Sequence, residues 1–217
     1  SLVGFSCYMW NIEVVLKIAK KLRKRLPDLQ ILIGGPEIAT EYVQQSYFDK
    51  HAVDYCISGE GELTFFELLQ NLKRSKPALK NIPGLAYRSK KNMPFTVNTK
   101  RLPFKSLSYV PSPYLKGIVD EEVLARNDVE ANLETQRGCN LRCTYCIYHK
   151  DMDRVTYSDV DRVVDEVRYV TKRGVKKIRF VDANFSSDKD FAKSVMKGLI
   201  KERFETSLFF ELIPGFI

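Results

Sequence analysis

The sequence predicts an α/β protein with two sheet-based domains joined by an irregular stretch. Strand and helix patterns alternate over residues 1–75, six prolines interrupt the polar residues 76–130, and the alternation resumes over residues 131–217. Alternating strands and helices imply parallel sheets covered on both faces. We therefore expect a first domain at 1–75, a linker with a small hairpin at 76–130, and a second domain at 131–217.

The first domain is expected to contain three strands and three helices. Short apolar runs indicate the strands, and apolar residues at the i, i+3, i+4, i+7 spacing indicate the helices. The strands are predicted at Leu2–Ser6, Leu29–Ile33 and Val53–Ile57, and the helices at Ile12–Leu26, Glu37–Phe48 and around Phe65–Leu72.

The linker and the second domain follow the same kinds of signal. The predicted hairpin joins Gly84–Arg88 to Phe95–Asn98. The second domain is expected to have strands at Ala131–Gln136, Lys177–Val181 and Thr206–Leu212, one helix of valines capped by Ser158, and another at Asp188–Phe204. This is the start of a βα barrel, and a complete one needs at least about 200 residues. We therefore expect the chain to be a fragment, truncated at both ends.

Composition indicates a folded protein from a reducing compartment. The chain is 44% hydrophobic and 29% charged, which allows a sizeable core. Five cysteines, three of them clustered, argue against a secreted disulfide framework. No apolar run approaches the roughly 18 residues that span a bilayer. We expect a cytoplasmic protein without a membrane partner.

The net charge of +8 does not by itself predict a nucleic-acid partner. Most basic residues of the first predicted helix lie opposite its apolar face, as a solvated outer face does. The basic runs lack the interleaved aromatic residues of a base-stacking surface. A tRNA substrate remains an open alternative.

Three cysteines form the densest set of metal ligands in the chain. Cys139, Cys143 and Cys146 have C-x3-C-x2-C spacing in a loop after a predicted strand. Three thiolates so close together can hold three irons of a 4Fe-4S cluster and leave the fourth iron open. His149 completes a Cys3His set, so a non-enzymatic zinc module is the alternative.

The loop resembles that of the radical S-adenosylmethionine (radical SAM) superfamily. Arg137 and Gly138 before the first cysteine and the aromatic Tyr145 before the last agree with this resemblance. It implies that the three cysteines hold the cluster, that the open iron chelates SAM, and that an electron from the cluster cleaves a carbon–sulfur bond of SAM. Tyr145 would support the adenine side of the site.

Glycines follow two predicted strands of the first domain at their carboxyl ends. Gly34 and Gly35 follow the second strand, and Gly59 and Glu60 follow the third. Ligands of open parallel sheets bind beyond these ends, where glycine allows the backbone to approach a ligand closely. Each pair alone is weak evidence, because glycine often only turns the chain into the next helix.

Together with the cysteine loop, three segments resemble the cobalamin-binding radical SAM enzymes: Val3–Asn11, Ile33–Glu37 and Asp54–Glu62. The resemblance implies a Rossmann-like corrinoid-binding domain, followed by a partial TIM-type radical SAM barrel. The residues that would line the groove for the nucleotide tail are Ser6, Gly34 and Gly35, with Gly59 and Glu60 nearby. His51 is expected at the surface and not as a cobalt ligand.

Two carboxylates of the second domain are further candidates for binding SAM. Asp182 ends a predicted barrel strand, where active-site groups gather. It would accept a hydrogen bond from the SAM amine or ribose, or else cap a turn. Glu211 is an isolated carboxylate in an apolar predicted strand and is expected to face a polar barrel lumen and bind ribose.

The resemblance therefore implies an enzyme that uses a 4Fe-4S cluster, S-adenosylmethionine and cobalamin. Its expected reaction is methylation of an unactivated carbon or phosphorus centre of a small-molecule or peptide substrate. The electron would come from a donor such as flavodoxin or ferredoxin. The alternatives are a corrinoid-independent radical SAM enzyme, acting on tRNA or a small molecule, and the zinc module.

Overall fold

The computed structural model describes residues 1–38, 48, 52–91, 93–146, 148 and 154–213. The chain divides into two compact units, Ser1–Pro103 and Phe104–Ile217. The predicted linker is shared between them, since its first part belongs to the first unit and the rest to the second. Most of the predicted helix Glu37–Phe48 lies outside the described residues, as do His51 and His149.

The first unit contains a five-stranded sheet, counted over its described residues, in the order β1-β2-β3-β4-β5. Strands β1 to β3 are parallel, and β3, β4 and β5 pair antiparallel. The antiparallel pair β4 and β5 stands where the hairpin is predicted. The elements are β1 (Leu2–Ser6), α1 (Ile12–Arg25), β2 (Gln30–Gly34), β3 (Tyr55–Ile57), α2 (Gly61–Leu72), β4 (Leu85–Tyr87) and β5 (Thr96–Val97).

Both faces of the first sheet are covered, because neighbouring residues of β2 point into different cores. Ile33 packs in the cluster that contains the buried face of α1, and Leu32 packs in the cluster that contains Leu68 of α2. The parallel α/β prediction is therefore confirmed for this unit. The lysines of α1 lie on its exposed side, as expected: Lys17, Lys20, Lys21 and Lys24.

The second unit contains a parallel sheet in the order β10-β9-β6 and a separate antiparallel pair, β7 with β8. Its elements are α3 (Glu121–Leu124), β6 (Glu130–Leu133), β7 (Gln136–Arg137), β8 (Thr156–Tyr157), α4 (Val160–Lys172), β9 (Lys177–Phe180), α5 (Lys189–Glu202) and β10 (Ser207–Phe209).

The core of the second unit lies between its sheet and the helices α4 and α5. Phe180 of β9 is buried and stacks on Phe210, with ring centroids 4.3 Å apart. The two helices approach closely at Gly198, where a Cβ would lie 2.6 Å from Cγ2 of Val164. Glycine at this position therefore sets the distance between the helices.

Three sequence predictions in this unit are wrong in detail. The predicted strand Ala131–Gln136 breaks after Leu133, because the next residues turn to bond Asp182. The N-cap of α4 is Asp159, not Ser158. The last strand ends at Phe209. Among the described residues, no helix has the length and apolar character needed to cross a membrane.

Candidate functional site

The cysteine loop follows β7 in the second unit. Gly138, just before the first cysteine, has φ 102°, and a Cβ there would lie 2.7 Å from the carbonyl oxygen of Arg154. A tight turn joins the last two cysteines, since the Cys146 amide donates to the Cys143 carbonyl oxygen at 3.0 Å. Glycine is therefore required where the chain enters the loop.

The three thiols lie partly exposed on this one loop: Cys139, Cys143 and Cys146. Within the described part of the chain, no three Cys, His, Asp or Glu side chains are close enough together to hold a metal ion. The structure thus places the three candidate ligands on one loop without bringing their sulfurs into ligating geometry. Their fit to an iron–sulfur cluster rests on the donor set, because soft thiolates are the ligands that such clusters take.

Tyr145 lies between two of these cysteines and is 91% exposed. A hydrogen bond with the Cys143 side chain, together with the charge of that side chain, raises the pKa of the Tyr145 phenol. The ring is therefore free to contact a ligand over the loop.

Asp182 follows β9 and is 1% exposed. Its Oδ1 accepts the amides of Thr135 and Gln136 at 2.8 and 2.9 Å, and its Oδ2 accepts the Thr135 hydroxyl at 2.7 Å. Burial raises the pKa of this carboxyl to about 6, although the three hydrogen bonds oppose the shift. In this structure Asp182 holds the turn that precedes the cysteine loop, and a SAM molecule would have to reach a carboxylate that is already hydrogen-bonded.

A buried polar network beside Asp182 was missed by the sequence analysis. Ser187 Oγ donates to Gln136 Oε1 at 2.8 Å, and Nε2 of the Gln136 side chain donates to the Asn184 carbonyl oxygen. Asn184 Nδ2 is buried and has no hydrogen-bond partner among the described residues. The polar run that follows β9 at a strand's carboxyl end was the signal for this network.

Glu211 lies beyond the end of β10 and is exposed. Its backbone oxygen accepts the amide of Phe185 at 2.9 Å. The expectation that this carboxylate sits within a strand is therefore wrong, while its proposed contact with ribose stays a prediction.

In the first unit, the structure brings Ser6, Gly34 and Gly35 together at the carboxyl ends of β1 and β2. Ser6 pairs with Gly34 in the parallel ladder. Gly35 has φ 106°, and a Cβ there would lie 2.7 Å from the Cys7 carbonyl oxygen and 3.2 Å from Ser6 Oγ. The backbones of two loops therefore meet at a position that only glycine fits, and the Ser6 side chain is exposed beside it.

Gly59 and Glu60 occupy the next strand end along the sheet. Gly34 pairs with Ile57, the last residue of β3, so the β3 loop starts beside the β2 loop. Gly59 has φ 75° and no atom within 4 Å of where its Cβ would lie, while Glu60 is buried and is the N-cap of α2. Gly59 thus borders open space at the predicted groove.

An exposed aromatic pair at the same edge was also missed. The loop after β1 is held by Asn11, whose side chain accepts the Tyr8 amide at 2.8 Å and donates to the Ser6 carbonyl oxygen at 3.0 Å. Trp10 stacks on Tyr8 with centroids 4.6 Å apart and is 74% exposed. A flat aromatic surface therefore follows Ser6 in the loop after β1.

Two known families match the two ends of the chain. Residues 1–69 match the B12 binding domain, and residues 133–213 match the radical SAM superfamily. These matches define a protein with a corrinoid-binding unit followed by a radical SAM unit. The chain therefore carries a B12 binding domain and a radical SAM domain, in the order that its sequence motifs predict.

Individual relatives agree with this placement. The chain is 32% identical to the cobalamin-dependent radical SAM methyltransferase TokK of Streptomyces tokunonensis, over 84% of this chain and 27% of TokK. It is 30% identical to 2-(S-pantetheinyl)-carbapenam-3-carboxylate methyltransferase of Streptantibioticus cattleyicolor, over the same shares of the two chains. The chain thus spans 27% of the length of these relatives.

A solved structure supports the fold. The cobalamin-dependent S-adenosylmethionine radical enzyme OxsB, in its apo form, aligns with a TM-score of 0.71 at 17% identity, over 95% of this chain and 29% of OxsB. At this identity the likeness concerns the fold alone.

The cofactor set is confirmed at the level of the two domains: cobalamin for the first unit, and a 4Fe-4S cluster with S-adenosylmethionine for the second. The radical SAM match favours the cluster over the zinc alternative, and the B12 match favours the corrinoid over its absence. Which side chains contact each cofactor stays a prediction.

Proposed function

We propose that this chain is the cofactor-binding part of a cobalamin-dependent radical SAM methyltransferase. The proposed reaction cleaves S-adenosylmethionine reductively and methylates an unactivated carbon or phosphorus centre. One observation carries this proposal: a three-cysteine loop in a radical SAM unit and a glycine-lined strand edge in a B12-binding unit occur in the same chain. Two relatives that match 84% of this chain are named as methyltransferases.

In the second unit, Cys139, Cys143 and Cys146 would hold three irons as thiolates, which leaves one iron position for a small molecule. When bound, the cluster supplies the electron for cleaving SAM. The protein's part is to hold and orient its ligands and to exclude water. Gly138 lets the loop run close against the backbone of Arg154, and the exposed Tyr145 ring would flank an adenine.

In the first unit, the strand edge at Ser6, Gly34 and Gly35 would bind the nucleotide tail of cobalamin. Backbone atoms can reach such a tail because Gly34 and Gly35 carry no side chain, and the exposed Ser6 hydroxyl offers a hydrogen bond. Gly59 adds open space at the neighbouring strand end, beside the buried Glu60. Bound cobalamin supplies a carrier for the methyl group.

The partners follow from this chemistry. Cleaving SAM needs one electron from outside the chain, so a donor such as flavodoxin or ferredoxin is proposed. The substrate is proposed to be a small molecule or a peptide. A reducing, cytoplasmic location suits a cluster held by free thiols, and all five cysteines are free in this structure.

The experiment uses the full-length protein, purified without oxygen, reconstituted with iron and sulfide, and loaded with cobalamin. With SAM and a strong reductant we expect 5'-deoxyadenosine and S-adenosylhomocysteine, together with methylated cobalamin. The triple Cys139→Ala, Cys143→Ala, Cys146→Ala variant should lose iron and 5'-deoxyadenosine but keep cobalamin.

The matched control is Cys56→Ala, which removes a buried thiol outside the loop and should keep its iron. Protein that binds four irons and cobalamin yet leaves SAM intact would contradict the proposed function. One equivalent of zinc without iron would restore the zinc alternative.

A further inference from the structure

A chain of partly buried hydrogen bonds ties the cysteine loop to the turn after β9. Ser187, in that turn, donates its hydroxyl proton to Gln136 Oε1 at 2.8 Å. The Ser187 oxygen lies 3.1 Å from the hydroxyl of Tyr157. Because serine has one hydroxyl proton and Gln136 receives it, Tyr157 must be the donor in the second bond. The order of donation is therefore Tyr157 to Ser187 to Gln136.

The three residues hold both ends of the cysteine loop. Gln136 lies in β7, three residues before Cys139, and Tyr157 lies in β8, where the chain has passed the loop. The two residues pair directly in the antiparallel ladder. The Ser187 hydroxyl is thus hydrogen-bonded both to the residue before the loop and to the residue after it.

The loop itself also reaches this point. The side-chain amide of Asn140, the residue after Cys139, lies 3.5 Å from the backbone oxygen of Ser187. Gln136 and Tyr157 are each held by a further contact. The side-chain amide of Gln136 donates to the Asn184 carbonyl oxygen, and the Tyr157 ring packs on the Phe191 ring with centroids 4.8 Å apart.

Burial makes this arrangement specific. Gln136 is fully buried, and a buried polar side chain is costly unless its hydrogen bonds are satisfied. Hydrogen-bonded residues behind metal ligands fix the orientation of those ligands, and a small displacement of reacting groups costs rate. The hydrogen bonds of the partly buried Ser187 therefore hold the two strands from which the cysteine loop emerges.

We propose that Ser187 is a positioning residue for the cluster and SAM site, acting through Gln136 and Tyr157. This proposal rests on the proposed function for its kinetic consequence, but not for the structural link itself. Ser187→Ala removes both side-chain bonds, and Tyr157→Phe removes one of them. Ser187→Thr keeps the hydroxyl and serves as the conservative rescue.

The matched control is the preceding residue. Ser186 is buried, whereas Ser187 is partly exposed, and the Ser186 hydroxyl donates to Asn184 Oδ1 and, among the described residues, not to Gln136 or Tyr157. Ser186→Ala therefore deletes a buried hydroxyl of the same turn without touching the link to the cysteine loop.

Two readouts on the full-length protein test the proposal. In the cofactor-free protein, hydrogen exchange over residues 136–146 should speed up in Ser187→Ala, less so in Tyr157→Phe, and stay near wild type in Ser186→Ala and Ser187→Thr. In the reconstituted protein, kcat/KM for SAM cleavage should fall about 10- to 100-fold in Ser187→Ala, while the iron content is kept and the protein stays folded at the assay temperature.

The outcomes separate the two proposals. Equal effects of Ser187→Ala and Ser186→Ala, or unchanged exchange in Ser187→Ala, would overturn the positioning role. Altered exchange in a protein whose wild type never cleaves SAM would uphold the link and reject the proposed function. Unchanged kcat/KM beside altered exchange would show that the link is structural and would also overturn the positioning role.

Discussion

Replacing Gly35 with alanine tests how closely the loops after β1 and β2 approach each other. The backbone φ of Gly35 is 106°, a value that residues with a side chain rarely adopt. The Cβ of an alanine there would lie 2.7 Å from the Cys7 carbonyl oxygen and 2.9 Å from the Cys7 nitrogen. Gly59 provides a matched comparison, because it also has a positive φ but no atom within 4 Å of its Cβ position.

The two substitutions share one cost and differ in another. Placing a residue with a side chain in a left-handed conformation lowers the free energy of unfolding by about 1–2 kcal/mol. Each alanine also reduces the conformational entropy of the unfolded chain, and this effect is the same at the two sites. At Gly35 the backbone must also move away from Cys7, which adds about 1–3 kcal/mol, as overpacking does. We expect Gly35→Ala to lower the free energy of unfolding by about 1–3 kcal/mol more than Gly59→Ala.

Urea denaturation followed by hydrogen exchange of the β1 and β2 amides, Leu2–Ser6 and Gln30–Gly34, measures this difference. Both strands belong to the first unit, so the exchange reports the stability of that unit. Cobalamin uptake is then compared at a temperature where both variants are folded. Equal destabilisation of the two variants would refute the close approach of the loops at Gly35.

Three further predictions concern other parts of the chain. Burial raises the Asp182 pKa from 3.8 to about 6, so the contribution of Asp182 to stability is greatest below about pH 4 and is lost as pH rises through 6. The free energy of unfolding, compared with that of Asp182→Asn, should therefore fall by roughly 3 kcal/mol over this range. A difference between the two proteins that does not change with pH would contradict this prediction. Gly198→Ala should destabilise the second unit by about 1–3 kcal/mol in urea titrations, because its new Cβ would meet Val164. Adding Val164→Ala should recover part of this loss, whereas additive losses would exclude the contact between residues 198 and 164. Trp10→Ala should leave stability unchanged but reduce cobalamin retention after gel filtration, and full retention would remove Trp10 from the groove.

Periodicity predicts the regular elements of this chain well, because the apolar faces that define them are local in sequence. Strand β1 matches its predicted bounds, and α1 ends one residue earlier than predicted. Long-range bonds explain the failures. The strand after Glu130 breaks because Asp182, far along the chain, captures the amides of Thr135 and Gln136.

The candidate sites show the same division. The spacing of the three cysteines and the glycines after the strands could be found in the sequence, since each is a local pattern. That the backbone of Gly35 lies against that of Cys7, or that Ser187 joins Gln136 to Tyr157, depends on how distant segments of the chain come together. A single sequence does not indicate such contacts.

The burial of Cys7 divides the thiols of this chain into two reactivity classes. Cys7 is fully buried, and desolvation raises the pKa of its thiol to about 11. At neutral pH about one molecule in ten thousand then carries a Cys7 thiolate, the form that attacks alkylating reagents. Cys56 is buried as well, whereas the three loop cysteines are partly exposed. Alkylation of the native protein, read by mass spectrometry, should therefore modify the loop first, and protection of that loop would count the protein molecules that carry a cluster.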